Sequence, residues 1–131
     1  MGKRLLFDTD VLIDYLRGHV QAIAYLESCS EELLISAATV AELFAGVREG
    51  AERTALQNFQ SVFQLIPIDG EIAETGGLLR RDYGRSHNTG LVDALIAATA
   101  KVNDAQLVTL NRKHFPMLDG VVVPYGKQSA K

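Results

Sequence analysis

The chain predicts a layered α/β fold: a central, mainly parallel sheet of four to five strands, flanked by helices. Two observations carry this. Short apolar runs of strand length alternate along the chain with longer stretches of helical periodicity, and turn-forming or polar residues separate most of them. Such alternation favours parallel strands joined by right-handed crossovers. The length of 131 residues, with 47% hydrophobic and 22% charged, suits one soluble domain with a single core. Residues 1–125 read as that domain. Residues 126–131 have nothing to bury and read as a mobile tail.

Arg4–Phe7 reads as a buried strand, ended by the acids Asp8 and Asp10. Asp10 is placed to cap a helix carrying Val11, Leu12, Tyr15 and Leu16, with Gly18 as its stop. A second helix covers Val20–Ser28, and 33–36 reads as the second strand. Thr39 opens the next helix, whose apolar positions Val40, Leu43, Phe44 and Val47 repeat at the helical period. Another amphipathic helix is predicted over 52–63. Residues 65–68 form the third strand, where Pro67 implies an edge or strand-end position. A helix over 71–84 follows, weakened by Gly76 and Gly77. The loop SHNTG at 86–90 leads into an alanine-rich helix, Leu91–Val102, whose small side chains permit close approach to a sheet. Residues 107–110 are the fourth strand, 111–115 a polar turn or short helix, and 121–123 a last strand.

Composition narrows the function classes. Cys29 is the single cysteine, so no internal disulfide forms; its apolar helical surroundings suggest a buried thiol in a reducing compartment, and a cytoplasmic location is the expectation. The apolar stretches are too short for a signal-peptide core or a membrane span. A net charge of -3 argues superficially against nucleic acid, but three acids gathered around a divalent metal would leave the remainder neutral.

Most carboxylates have a local account, such as Asp14 with Arg17 and Asp82 with Arg85, each pair three apart on a predicted helix face. Three do not. Asp8 ends an apolar strand, while Glu42 and Asp93 are each followed at i+3 and i+4 by small or apolar residues, with no local cation. Burying an unpaired charge costs several kcal/mol or more, so something positive is expected from outside. Glu42, Asp93 and Asp10 also have structural accounts: Thr39 and Glu42 spell a T-x-x-E capping box, Asp93 lies in the first turn of its helix, where a carboxylate favours the dipole, and Asp10 is placed as an N-cap. Taken singly, capping explains Glu42 and Asp10 better than chemistry does. The metal reading explains Asp8, Glu42 and Asp93 together. Hard oxygen ligands select Mg²⁺ or Mn²⁺, which can activate water and stabilise charge on a phosphodiester. His19, His87 and His114 are scattered and form no zinc pattern.

The segments FDTDVLIDYLRG, ISAATVAELFAG, GLVDALIAATA and LVTLNRKHF, taken in order, resemble a PIN-domain ribonuclease, most closely the VapC toxins of bacterial and archaeal toxin–antitoxin pairs. The resemblance covers nearly the whole chain and implies the three-layer PIN fold. It implies that Asp8, Glu42 and Asp93 hold Mg²⁺, with Mn²⁺ able to substitute, and activate the attacking water. Thr9 and Asp10 match the polar pair that positions metal-bound waters. Asn111 stands where the family often has a fourth acid; its amide oxygen can hold a water but brings no charge. The implied reaction is hydrolysis of RNA to a 5′-phosphate and a 3′-hydroxyl. The implied partners are RNA, a second copy of the chain in a homodimer, and a VapB-like antitoxin that often presents an arginine to the acidic site; no membrane is involved. Arg81, Arg85, Arg112 and Lys113, with Arg80 and His87 nearby, are candidates for phosphate contact, although a solvated helix face explains Arg81 and Arg85 slightly better. His114 reads as a surface turn residue.

Two other readings of DTD after a strand are minor. A haloacid dehalogenase-type phosphatase would need Thr or Val at position 12, which is Leu12. A response-regulator receiver would need a lysine after its last strand, where Asn111 and Arg112 stand; Asp69 could imitate its phosphoacceptor. The alternative from another class is a catalytically silent PIN module that binds RNA or protein without cutting.

Overall fold

Leu5, Leu6 and Phe7 are all buried although they alternate between the two faces of one strand, which requires a strand inside a sheet covered on both sides. The computed structural model describes residues 3–126. In it, β1 (Arg4–Phe7) pairs in parallel with β2 (Glu32–Ser36) on one side and with β4 (Gln106–Val108) on the other. β3 (Gln64–Ile66) adds in parallel to β2, so the order is β3-β2-β1-β4. The predicted last strand contributes a single parallel bridge, Val122 to Val108, so the described sheet has four strands. Pro67 follows the edge strand β3, where its missing N–H costs no ladder bond.

Six helices complete the layers among the described residues: α1 (Thr9–Leu16), α2 (Val20–Ser28), α3 (Ala37–Ala45), α4 (Ala51–Gln60), α5 (Gly70–His87) and α6 (Leu91–Val102). Leu5, Phe7, Ile35 and Val108 pack on one face of the sheet with Val11, Leu12, Leu43 and Leu56 of α1, α3 and α4. Leu6, Leu34, Ile66 and Leu107 pack on the other with Ile72 of α5 and the Ile96–Ala100 run of α6. The three layers therefore follow from strand alternation alone.

Helix boundaries differ from expectation where tertiary contacts intervene. α1 begins at Thr9 and is capped by Asp8, not Asp10, because the Asp8 N–H is still held by the Val108 carbonyl at 2.9 Å and the chain turns immediately afterwards. α3 begins at Ala37 and is capped by Ser36, whose hydroxyl accepts from the Ala38 N–H at 3.0 Å. Thr39 and Glu42 thus form no capping box, and Glu42 lies in the second turn. α5 runs through both glycines and into the segment expected to be loop, ending at Asn88 with φ +55°. A Cβ at Gly76 would meet the Leu95 Cδ2 at 2.7 Å and its Cα at 3.2 Å, so this glycine is the contact that lets α5 lie against α6. Gly77 faces open space.

Other local expectations are corrected as well. The Asp14 carboxylate accepts the Tyr125 hydroxyl at 2.9 Å, and Asp82 pairs with Arg81 at 2.8 Å instead of Arg85. Cys29 is only half-buried at the end of α2, its thiol donating to the Tyr25 carbonyl at 3.2 Å. Asp69 caps α5 through the Ile72 N–H at 2.9 Å, which accounts for it structurally. The tail beyond Gly126 lies outside the described residues.

Candidate active site

Parallel pairing sets Phe7 beside Val108, so the residues that follow, Asp8 and Thr109, emerge together at the carboxyl edge of the sheet. The connections out of β1 and β2 lead one way across the sheet, while β4 lies on the opposite side of β1. The β1–β4 boundary is therefore the point at which the strand order reverses, where α/β sheets characteristically bind ligands. The amino ends of α1, α3 and α6 also lie at this edge, because each of these helices runs back across a parallel sheet.

Asp8 is 6% exposed. Its Oδ1 accepts the Thr9 N–H at 2.8 Å and its Oδ2 accepts the Thr109 hydroxyl at 2.7 Å. These bonds favour the ionised form, but burial and then the neighbouring charge of Asp10 outweigh them, with Asp93 adding to the effect; the carboxyl is pushed up from 3.8 to about 7. Asp10 faces the same edge. Its Oδ1 accepts the Val11 N–H at 2.7 Å and its Oδ2 accepts the Leu110 N–H at 3.0 Å, tying the start of α1 to the chain leaving β4.

Glu42 joins through Thr9. The Thr9 hydroxyl donates to Glu42 Oε1 at 2.5 Å and lies 3.3 Å from the buried Thr39 hydroxyl, so α1 and α3 share one polar seam. Asp93, in the first turn of α6, receives His114 Nδ1 at 3.1 Å on its Oδ2. His114 ends the 3-10 turn Arg112–His114 that follows β4, and it is a site neighbour rather than an isolated surface residue. Asn111 is exposed, and its backbone N–H donates to the Thr109 hydroxyl at 3.0 Å.

The basic candidates are placed differently. Arg112 and Lys113 are exposed on the turn that carries His114, with Arg112 donating to the Val121 carbonyl at 3.4 Å. Arg81 and Arg85 are exposed on α5, and among the described residues no hydrogen bond or ion pair links them to the acids. Thr109 and Thr89 are not named from sequence, and Thr39, read there as a capping residue, is instead buried beside Thr9. Thr109 had a legible signal, since it follows β4 as Asp8 follows β1. Thr89 had none, because its role, like that of Thr39 beside Thr9, depends on contacts between segments far apart in the chain.

Among the described residues, no three His, Cys, Asp or Glu groups converge closely enough to hold a metal ion as the side chains lie. The donor set nevertheless fits a hard cation. It consists of carboxylate oxygens, among which Asp8 is raised by burial first and by the charges of Asp10 and Asp93 after it, and Mg²⁺ needs only one or two carboxylates, completing its shell with water and phosphate.

The PIN domain family pattern matches residues 5–120. The chain belongs to the PIN-domain family. Ribonuclease VapC10 of Mycobacterium tuberculosis is 45% identical over 124 residues, covering 92% of each chain. Ribonuclease VapC19 of the same organism is 44% identical over 125 residues, covering 92% of this chain and 98% of the relative. Among solved structures, a toxin–antitoxin complex from Klebsiella pneumoniae contains a chain that superposes with a TM-score of 0.82 at 34% identity, covering 94% of this PIN domain's chain and 99% of the other. No helix among the described residues is long and apolar enough to cross a membrane.

Proposed function

We propose that this PIN domain is a Mg²⁺- or Mn²⁺-dependent endoribonuclease acting as the toxin of a VapBC-type pair. The observation that carries the reading is the placement of Asp8, Asp10, Asp93 and the Thr9-linked Glu42 at the reversal point of the sheet. Asp8 there is forced toward neutrality by burial and like charge. A site that destabilises the Asp8 carboxylate in this way favours a cation that enters beside it. The near half-identity to relatives named as ribonucleases supports RNA as the substrate.

In this reading Asp8, Glu42 and Asp93 hold the cation, which supplies positive charge against the phosphodiester and makes water more acidic. The protein's share is to fix the carboxylates in advance. The Thr109 hydroxyl and the Thr9 N–H hold Asp8, the Thr9 hydroxyl holds Glu42, and Asp10 locks α1 to the segment after β4. Asn111 is an auxiliary neutral water ligand, and the exposed Arg112 and Lys113 on the turn that carries His114, with Arg81 and Arg85 on α5, are the basic side chains for phosphate contact. The superposed Klebsiella protein was solved as a toxin–antitoxin complex, which supports a VapB-like antitoxin partner. A homodimer and a cytoplasmic location complete the reading.

The test is cleavage of a mixed pool of structured RNAs in Mg²⁺ or Mn²⁺, beside EDTA and Asp8→Asn controls. Cleavage that requires both metal and Asp8 is the expected result. A folded protein, free of antitoxin, that cuts nothing with either metal would make the chain a silent binding module instead.

A further inference from the structure

Asn111 brings no charge to the site, and the segment after β4 contributes hydrogen-bond donors in its place. Thr109 donates to Asp8 Oδ2 at 2.7 Å, and five residues later His114 Nδ1 stands 3.1 Å from Asp93 Oδ2. A carboxylate oxygen accepts in this contact when the imidazole carries its hydrogen on Nδ1. The two side chains are 33% and 28% exposed, sheltered enough for the pair to hold a fixed geometry.

The backbone under the ring is anchored at three points. The His114 N–H donates to the Asn111 carbonyl at 3.0 Å, its carbonyl accepts the Thr89 hydroxyl at 3.0 Å, and the next residue, Phe115, is buried in the core. Thr89 is 1% exposed and stands immediately before Gly90, the cap of α6. The turn and the acid-bearing helix are therefore joined twice, once through Thr89 and once through Asp93. An aspartate in a first helical turn has several accessible rotamers, and a donor held on one oxygen selects among them and aims the other.

We propose that His114 is a positioning residue, which by donating from Nδ1 to Asp93 Oδ2 turns the second Asp93 oxygen into the acidic cluster and prepares the site for a divalent cation. The proposal rests on the metal-dependent reading above. Three measurements on the full chain test it. Nitrogen-15 spectra of the metal-free protein are expected to show a proton on His114 Nδ1. Calorimetric titration with Mn²⁺ is expected to show binding weakened by about tenfold or more in His114→Ala. In His114→Asn, whose amide nitrogen can stand near the Nδ1 position, affinity is expected to return to within about threefold of wild type. An unprotonated Nδ1, wild-type affinity in His114→Ala, or a folded His114→Asn as weak as His114→Ala overturns the proposal. If the wild-type protein itself takes up no Mn²⁺, the metal-dependent reading falls and the proposal falls with it; wild-type binding with an unaffected His114→Ala removes the proposal alone.

Discussion

Replacing Asp8 with Asn removes the charge that the fold tolerates least. The Asp8 carboxyl is pushed up from 3.8 to about 7, so between these values the folded chain holds a proton that the unfolded chain has released. Stability therefore falls as pH rises through this window and levels off above it, since the derivative follows protons bound unfolded minus protons bound folded, which is negative here. A displacement of about 3 units corresponds to a destabilisation on the order of 4 kcal/mol above pH 7. Asn retains an acceptor for the Thr9 N–H, and its amide can donate to the Thr109 hydroxyl, which rotates to accept. The rise to about 7 already includes the bonds from Thr9 and Thr109, so the variant should be more stable than wild type by on the order of 4 kcal/mol at pH 8. Urea unfolding at pH 5 to 9 reads this directly. The two curves should converge toward pH 5 and separate as pH approaches 7, while the variant loses all metal-dependent cleavage. A variant less stable than wild type at pH 8, or a gap that does not change with pH, would refute the account of Asp8 as a charge held against burial and repulsion.

Glu42→Gln and Asp93→Asn should each abolish cleavage of the RNA pool while leaving the circular-dichroism spectrum and cooperative unfolding intact, because neither carboxylate caps its helix. Saturating Mg²⁺ should raise the melting temperature of the wild-type protein and leave that of Asp8→Asn nearly unchanged, as linkage requires when the bound state needs the carboxylate. Thr109→Val removes the donor to Asp8 Oδ2 and should lower the urea midpoint by an amount equivalent to about 1 to 2 kcal/mol, measured at pH 8 where the carboxylate is charged. The two adjacent glycines of α5 should behave oppositely in thermal melts. Gly76→Val forces α5 off Leu95 and should cost about 1 to 3 kcal/mol, whereas Gly77→Ala, facing open space in a helix interior, should gain about 0.5 to 1 kcal/mol.

The layered architecture is legible from the chain because side-chain alternation is a local property. Leu5, Leu6 and Phe7 cannot all be buried except in a central strand, and the alanine run of α6 matches a helix laid closely on a sheet. The unusual acids are legible for the same reason, since the absence of a cation within one helical turn of Asp8, Glu42 or Asp93 can be read without coordinates. Local rules failed where two separate segments compete for the same groups. Asp8 rather than Asp10 caps α1 because the Val108 carbonyl holds the Asp8 N–H, and Ser36 rather than Thr39 caps α3, leaving Thr39 buried beside Thr9. Gly76 reads as a weak point of a helix and proves to be its contact with α6. The supports of the acids, Thr109 on Asp8 across 101 residues and His114 on Asp93 across 21, belong to the tertiary structure alone. A hydrogen bond's direction and reach depend on where the folded backbone brings two distant side chains, and no periodicity in the sequence records that.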